Sequence, residues 1–94
     1  MTEKTFTITN ERGMHVRPCI AFADLANKFD CDITVRHYGN DFRGKTGMHL
    51  MSAYIQQGDE ITIVCSGADE QEAMAALEAL IASGFKEVLT NERI

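Results

Sequence analysis

Residues 13–18 read Gly13-Met14-His15-Val16-Arg17-Pro18 and lead into the most regular helical pattern of the chain. Proline is favoured in the first turn of a helix, where backbone N–H groups have no intrahelical acceptor, and Pro18 is the only proline present. Apolar residues then recur at the spacing of one helix face, namely Cys19, Phe22, Ala23, Ala26 and Phe29. The segment predicts an amphipathic helix from Val16 to about Lys28, with His15 at its N-cap.

The predicted position of His15 has chemical consequences. The positive end of a helix dipole disfavours a positively charged ring, which leaves the imidazole neutral and nucleophilic. The free amides of the first turn also favour an anion such as phosphate. We therefore interpret His15 as a residue that could accept and release a phosphoryl group, the alternative being a capping histidine without chemistry. The other two histidines, His37 and His49, have no catalytic partner in view and are expected to be incidental.

The rest of the pattern predicts four strands and two further helices, in the order β-α-β-β-α-β-α. Strands are expected at residues 5–9, from residue 33 to a turn at 38–41, around residue 42, and at 61–65. A second helix is expected over residues 47–53, where Thr46 could provide the cap. The last helix is expected to run to about residue 83, with a capping box formed by Asp69 and Glu72 and a stop at Gly84.

The strands carry polar residues at alternate positions, which predicts a sheet with one face in water. These positions are Thr5, Thr7, Thr34, Arg36 and Thr62. Helices would then cover only the other face. The expected fold is an α+β, open-faced two-layer sandwich, with a four-stranded, mainly antiparallel sheet and three helices on one side. We expect a single domain over residues 1–94, with a core at about 4–84 and a C-terminal tail at 85–94.

Length and composition limit the classes of function. The chain has 94 residues, 45% of them hydrophobic, and a formal net charge of −5. An acidic balance argues against nucleic acid or an anionic membrane as the main partner. Neither a membrane-spanning run nor a signal peptide is recognisable. We expect a cytoplasmic protein that neither inserts into membranes nor binds nucleic acid.

The cysteine pattern does not favour a metal site or a disulfide. Cys19, Cys31 and Cys65 form no C-x-x-C pair and leave an odd thiol over. Cys19 follows His15 by about one helical turn, but no third ligand lies nearby in the sequence. We expect no metal and no cofactor.

Two motifs carry a family resemblance. Residues 13–18 are similar to the signature G-[ILM]-H-A-R-P, and residues 44–52 are similar to the segment K-S-I-M-G-V-M-S. Both belong to HPr, the histidine-containing phosphocarrier family of the phosphoenolpyruvate-dependent phosphotransferase system. The resemblance extends from about Lys4 to Gly84, and the expected order of elements agrees with the family's fold.

The resemblance implies a role for the first motif. His15 would accept a phosphoryl group on Nδ1, the pros nitrogen, from enzyme I and pass it to an EIIA domain. Arg17 and the backbone amides of Val16 and Arg17 would stabilise the phosphoryl oxygens, whereas Pro18 has no N–H to donate. The protein would serve as a carrier in sugar uptake or its regulation, not as a stand-alone catalyst. A monomer is expected.

The second motif implies partner docking and regulation. Ile20, Met48 and Met51 match positions that present an apolar patch to partners. Thr46 replaces the serine that HPr kinase phosphorylates in many members, and so is the candidate regulatory site. Gly47 replaces an apolar side chain, which would weaken docking. The alternative function is a regulatory module that acts by protein binding, including one of a nitrogen-type phosphotransferase system; a small acylphosphatase-like enzyme is disfavoured because no suitable loop is visible.

Overall fold

The computed structural model describes residues 1–85 and contains the expected sequence of elements. These are β1 (Thr2–Thr7), α1 (Val16–Ala26), β2 (Asp32–His37), β3 (Asn40–Arg43), α2 (Gly47–Met51), β4 (Glu60–Ser66) and α3 (Glu70–Ala82). The strands form one sheet in the order β1-β4-β2-β3, and all neighbouring pairs are antiparallel. The predicted α+β fold with an open sheet is confirmed.

The alternation of apolar and polar residues along the strands gives the sheet one buried face and one exposed face. Val35 and Ile63 are paired across β2 and β4, and both are fully buried. On the other face Thr5 and Thr62 are paired, and their hydroxyl oxygens lie 2.8 Å apart. The helices supply the fully buried side chains Phe22, Leu50 and Leu77. Burial of this apolar surface is the main source of stability for such a fold, and it leaves one sheet face uncovered.

Several boundaries differ from the predicted ones. β1 begins at Thr2 and pairs with β4 over its whole length, so it starts three residues earlier than expected. α1 ends at Ala26 because Asn27 caps it, and the Asn27 side chain donates to the carbonyls of Ala23 and Lys45, each at 2.8 Å. α2 ends at residue 51, where the prediction was 53. A cap and a strand pairing therefore set limits that apolar periodicity does not show.

The predicted capping box at the start of α3 is wrong. Asp69 is the N-cap residue, but its side chain makes no cap hydrogen bond. Its carboxylate instead accepts hydrogen bonds from the amides of Asp30 at 2.8 Å and Cys31 at 2.9 Å. Two amides from a neighbouring loop satisfy the carboxylate better than one amide of its own helix. Asp69 thus joins the start of α3 to the connection between α1 and β2.

Phe85, which the sequence prediction assigns to the tail, is fully buried. Phe85 comes directly after Gly84 and has a left-handed backbone conformation, with a φ of 62°. Its N–H donates to the carbonyl of Leu80 at 3.1 Å. This turn ends α3 and directs the ring into the core. The rest of the predicted tail, residues 86–94, lies outside the described residues.

Candidate functional site

His15 is the N-cap residue of α1, as predicted. Its backbone is extended, its ring is half-buried, and the ring makes no hydrogen bond to the first-turn amides. The first helical bond runs from the N–H of Cys19 to the carbonyl of His15, 3.1 Å. Nδ1 of His15 lies 3.5 Å from the carbonyl oxygen of Gly13, which is at the limit of hydrogen bonding. The ring therefore stands beside a helix terminus without capping it.

The loop that carries His15 is anchored by its backbone. Gly13 adopts a φ of 62°, and its N–H donates to the carbonyl of Asn10 at 2.9 Å, while the Asn10 side chain donates back to the carbonyl of Gly13. The N–H of Met14 donates to the carbonyl of Ile55 at 2.9 Å, and Met14 itself is buried. Gly13 and Met14, the two residues before His15, therefore pack against the segment after α2.

That supporting segment is in turn anchored by Asp59. Oδ2 of Asp59 lies 2.9 Å from the amide of Gln56 and 2.9 Å from Nε2 of His37. Oδ1 accepts a hydrogen bond from the Tyr38 hydroxyl at 3.1 Å. The pKa of Asp59 is lowered, first by the Gln56 amide and then by the His37 ring and the Tyr38 hydroxyl. No local pattern in the sequence indicates this network, and the sequence analysis assigns Asp59 no role.

The rings of His37 and His49 both make contacts within the fold. The side chain of His37 is 6% exposed, and its ring is bonded to Asp59. Nδ1 of His49 accepts a hydrogen bond from the N–H of Arg43 at 3.0 Å, and the ring packs edge-on against Phe42. Nothing local in the sequence indicates that His37 would reach a carboxylate 22 residues away.

A cleft of about 610 Å³ lies beside His15. Met48 and Met51 both line it, with Met48 79% exposed and Met51 half-buried. Ile20 is 45% exposed and lies next to Gly47, where an added Cβ would come within 3.7 Å of it. The structure thus brings together His15, the two methionines and Ile20 at one end of the molecule. Gly47 has room for a side chain at ordinary contact distance.

The other predicted site residues lie near this end of the molecule. Val16 and Arg17 are exposed in the first turn of α1. First-turn N–H groups have no intrahelical acceptor, and Pro18 has no N–H. Thr46 is the exposed N-cap residue of α2, and its hydroxyl makes no cap hydrogen bond. Its side chain is therefore accessible.

The three cysteines are free and buried. Burial raises the pKa of Cys19 to about 11, and burial together with Asp69 raises the pKa of Cys31 to about 11. The thiol of Cys19 donates to the carbonyl of Met14 at 3.1 Å, so it supports the loop before His15. Within residues 1–85 no group of three potential metal ligands is found. None of the helices in that part of the chain is long and apolar enough to cross a membrane.

Acid should weaken the network around Asp59. The pKa of the Asp59 carboxylate in the folded protein lies below the ordinary value of about 3.9. As the pH falls, this carboxylate therefore binds a proton more readily in the unfolded chain than in the folded protein. The contribution is therefore complete above about pH 4 and is lost as the pH falls through the folded pKa. Asp59→Asn should lower the midpoint of urea denaturation at pH 7. Below pH 4, the midpoint of this variant should fall less steeply with decreasing pH than that of the unmodified protein.

The matched control for this pH experiment is Asp41→Asn. Asp41 makes an ion pair with Arg36 in which both side chains are about half-exposed, so its removal should change the urea midpoint little. Equal pH profiles for Asp59→Asn and the unmodified protein would contradict the role given to this carboxylate.

Comparison with known proteins identifies the family. A family model described as the PTS HPr component phosphorylation site matches residues 2–83. The phosphocarrier protein NPr of Proteus mirabilis (strain HI4320) is 40% identical over 81 residues, which cover 85% of this chain and 90% of NPr. The HPr-like protein Crh of Halalkalibacterium halodurans is also 40% identical over 81 residues, covering 86% of this chain and 96% of Crh.

A solved structure supports the same assignment. The crystal structure of HPr-C-His from Thermoanaerobacter tengcongensis superposes with a TM-score of 0.88 at 37% identity, covering 92% of this chain and 97% of that protein. Agreement of sequence and fold over nearly all of the described residues leaves one conclusion. The chain belongs to the HPr family of the phosphotransferase system.

Proposed function

We propose that this protein is a phosphocarrier, in which His15 accepts a phosphoryl group from enzyme I on Nδ1 and passes it to an EIIA domain. The observation that carries the proposal is the position of the His15 ring. It stands at the N-cap of α1, half-buried beside the first-turn amides and without a cap hydrogen bond. An incoming phosphoryl group would therefore meet the positive end of the helix dipole.

The chemistry requires Nδ1 to present its lone pair. The ring proton must then reside on Nε2, and a small ring rotation must relieve the 3.5 Å contact between Nδ1 and the carbonyl of Gly13. As the bond from phosphorus to the donor breaks, a phosphorus–nitrogen bond forms. The guanidinium of Arg17 and the amides of Val16 and Arg17 would stabilise the phosphoryl oxygens. Onward transfer reverses these steps, and the partner completes the site.

Docking would use the apolar surface next to the cleft. Ile20, Met48 and Met51 are at the same end of the protein as His15, and flexible methionine side chains suit a surface that accepts several partners. The exposed hydroxyl of Thr46 would be the site of any regulatory phosphorylation by an HPr kinase. The relay would operate in the cytoplasm, with the carrier as a monomer, in sugar uptake or its regulation.

The decisive experiment is labelling with phosphoenolpyruvate and the cognate enzyme I. The full chain should acquire one acid-labile phosphoryl group, and His15→Ala should acquire none because the accepting nitrogen is missing. His49→Ala is the matched control, since its ring is engaged by Arg43 and Phe42, and it should be labelled normally. Absence of label on the unmodified protein, or undiminished labelling of His15→Ala, would refute the proposal.

A regulatory binding module is the second candidate. The equal 40% identity to NPr and to Crh supports keeping it, because Crh is named as HPr-like and not as a phosphocarrier. The two functions differ in their need for His15. A cell that retains the full activity of the protein after His15→Ala would favour the binding module, and loss of activity would favour the carrier.

A further inference from the structure

Within residues 1–85, three residues other than glycine adopt positive φ angles: Tyr38 at 49°, Tyr54 at 52° and Phe85 at 62°. Such angles are uncommon for bulky side chains and cost stability. The fold explains two of them. Phe85 is fully buried, and Tyr38 with Gly39 forms the tight turn between β2 and β3, which favours positive φ at both positions.

For Tyr54 the fold explains the positive φ but not the choice of a tyrosine. It follows the end of α2, where its N–H donates to the carbonyl of Met51 at 3.2 Å and the chain turns away. Glycine or asparagine meets this backbone requirement with less strain. The tyrosine side chain is 79% exposed, and its hydroxyl makes no hydrogen bond to any residue within the described range 1–85. The fold therefore accounts for the backbone conformation but not for the aromatic ring.

The position of Tyr54 indicates a use for the ring. Tyr54 lines the cleft beside His15, whose apolar lining includes Met14 and Ile55. Arg12 also lines the cleft and is exposed, and within residues 1–85 its guanidinium makes no ion pair. Among the described residues no carboxylate lines the cleft, although the whole chain has a net charge of −5. The cleft thus combines an apolar wall and a positive charge next to the reactive ring.

We propose that Tyr54 and Arg12 are specificity-determining residues for the partner that delivers the phosphoryl group to His15. The partner inserts an apolar side chain between Tyr54 and the methionines of the cleft, and it places a carboxylate opposite Arg12. An exposed aromatic ring and an arginine are the side chains that most often dominate binding energy at interfaces. The inference rests on the proposed function, because the partner is defined by its reaction with His15.

The test is the steady-state rate of His15 phosphorylation by the cognate enzyme I at varied concentrations of the carrier. Tyr54→Asn should raise KM by about tenfold, the loss expected of an interface anchor, with kcat nearly unchanged. The same variant should raise the urea midpoint, because asparagine tolerates the left-handed conformation better than tyrosine. Tyr54→Phe should keep the original KM, since the ring and not the hydroxyl makes the contact.

The chain offers a matched control in Tyr38→Asn. Tyr38 has nearly the same φ and exposure as Tyr54, at 49° and 77%, but it lies in the turn between β2 and β3 and is not among the cleft-lining residues. Asp59 keeps its contacts with His37 and Gln56 when the Tyr38 hydroxyl is removed. Relief of strain is thus common to both asparagine variants, and only Tyr54→Asn should change KM.

Arg12→Glu separates charge from shape. Arg12→Glu should raise KM more than Arg12→Ala does, because it reverses the charge that faces the partner's carboxylate. Lys28→Glu is the control: it makes the same charge change just after the C-terminal end of α1 and should leave KM unaltered. An unchanged KM for Tyr54→Asn, with normal labelling of the unmodified protein, would overturn this inference and leave the phosphocarrier function standing. Failure to label the unmodified protein would overturn both.

Discussion

Gly13→Ala should destabilise the protein by more than about 2 kcal/mol and lower the rate of His15 labelling at least tenfold. A left-handed backbone costs an alanine on the order of 1 kcal/mol. The added Cβ would also lie 2.6 Å from Cα and 2.9 Å from the carbonyl carbon of Gln56, and still closer to the carbonyl oxygen of Ile55. These are backbone atoms that cannot rotate away, and such overpacking costs roughly a further 1–3 kcal/mol.

The labelling defect follows because the same collision displaces the loop before His15. Ile55 also accepts the hydrogen bond from Met14, so moving the two segments apart breaks the contact that places the ring. A displacement of about 1 Å at a reacting group can reduce a rate a hundredfold. Urea denaturation and the initial rate of labelling by enzyme I would measure the two effects.

Gly39→Ala is the control for this variant. Gly39 has a similar φ of 78°, but an added Cβ would meet no atom of residues 1–85 within 4 Å. Gly39→Ala should lower the free energy of unfolding only by the cost of a left-handed alanine, about 1 kcal/mol. The rate of His15 labelling should be unchanged. The difference between the two variants therefore isolates the close approach at residues 55 and 56. Equal destabilisation by both substitutions would show that this contact contributes nothing.

Phe85→Ala should cost about 3–5 kcal/mol, the loss typical of a fully buried phenylalanine. Phe85 follows the last helix, and its ring belongs to the core cluster that also contains Leu77 and Ile81. Removing the ring leaves a cavity, because the surrounding helix and strands can relax only in part. The free energy of unfolding from urea denaturation is the quantity to measure.

Phe29→Ala is the comparison of the same residue type. Phe29 is only half-buried against the core, so its truncation should cost clearly less than that of Phe85. Labelling of His15 should persist in both variants at temperatures where they are folded. A cost for Phe85→Ala no greater than that for Phe29→Ala would mean that residue 85 is not part of the core.

Features that depend on local contacts were predictable from the sequence. The N-cap position of His15 follows from Pro18 in the first turn and from the apolar spacing along α1. Both signals relate residues that are about one helical turn apart. The open sheet face follows from strict alternation in β2 and β4. Capping details were less predictable, because Asp69 prefers the amides of Asp30 and Cys31 to that of its own helix.

Contacts between distant parts of the chain were not predictable in this way. His37 and Asp59 meet across 22 residues, and Asp30 and Asp69 across 39, only because the strand order places their loops side by side. The strained Tyr54 reads in the sequence as an ordinary polar aromatic residue after a short helix. The neighbouring cleft distinguishes it from Tyr38, whose backbone angle is nearly the same.

The sequence by itself determined the order of elements, the fold class and the N-cap position of His15, since periodicity and helix-start signals depend on residues within a few positions of one another. The tertiary structure alone decided how His15 is supported by residues 55–59, that Phe85 belongs to the core, and which side chains line the cleft. The reason is that these features depend on strand pairing and chain packing, which bring together residues that no local pattern relates.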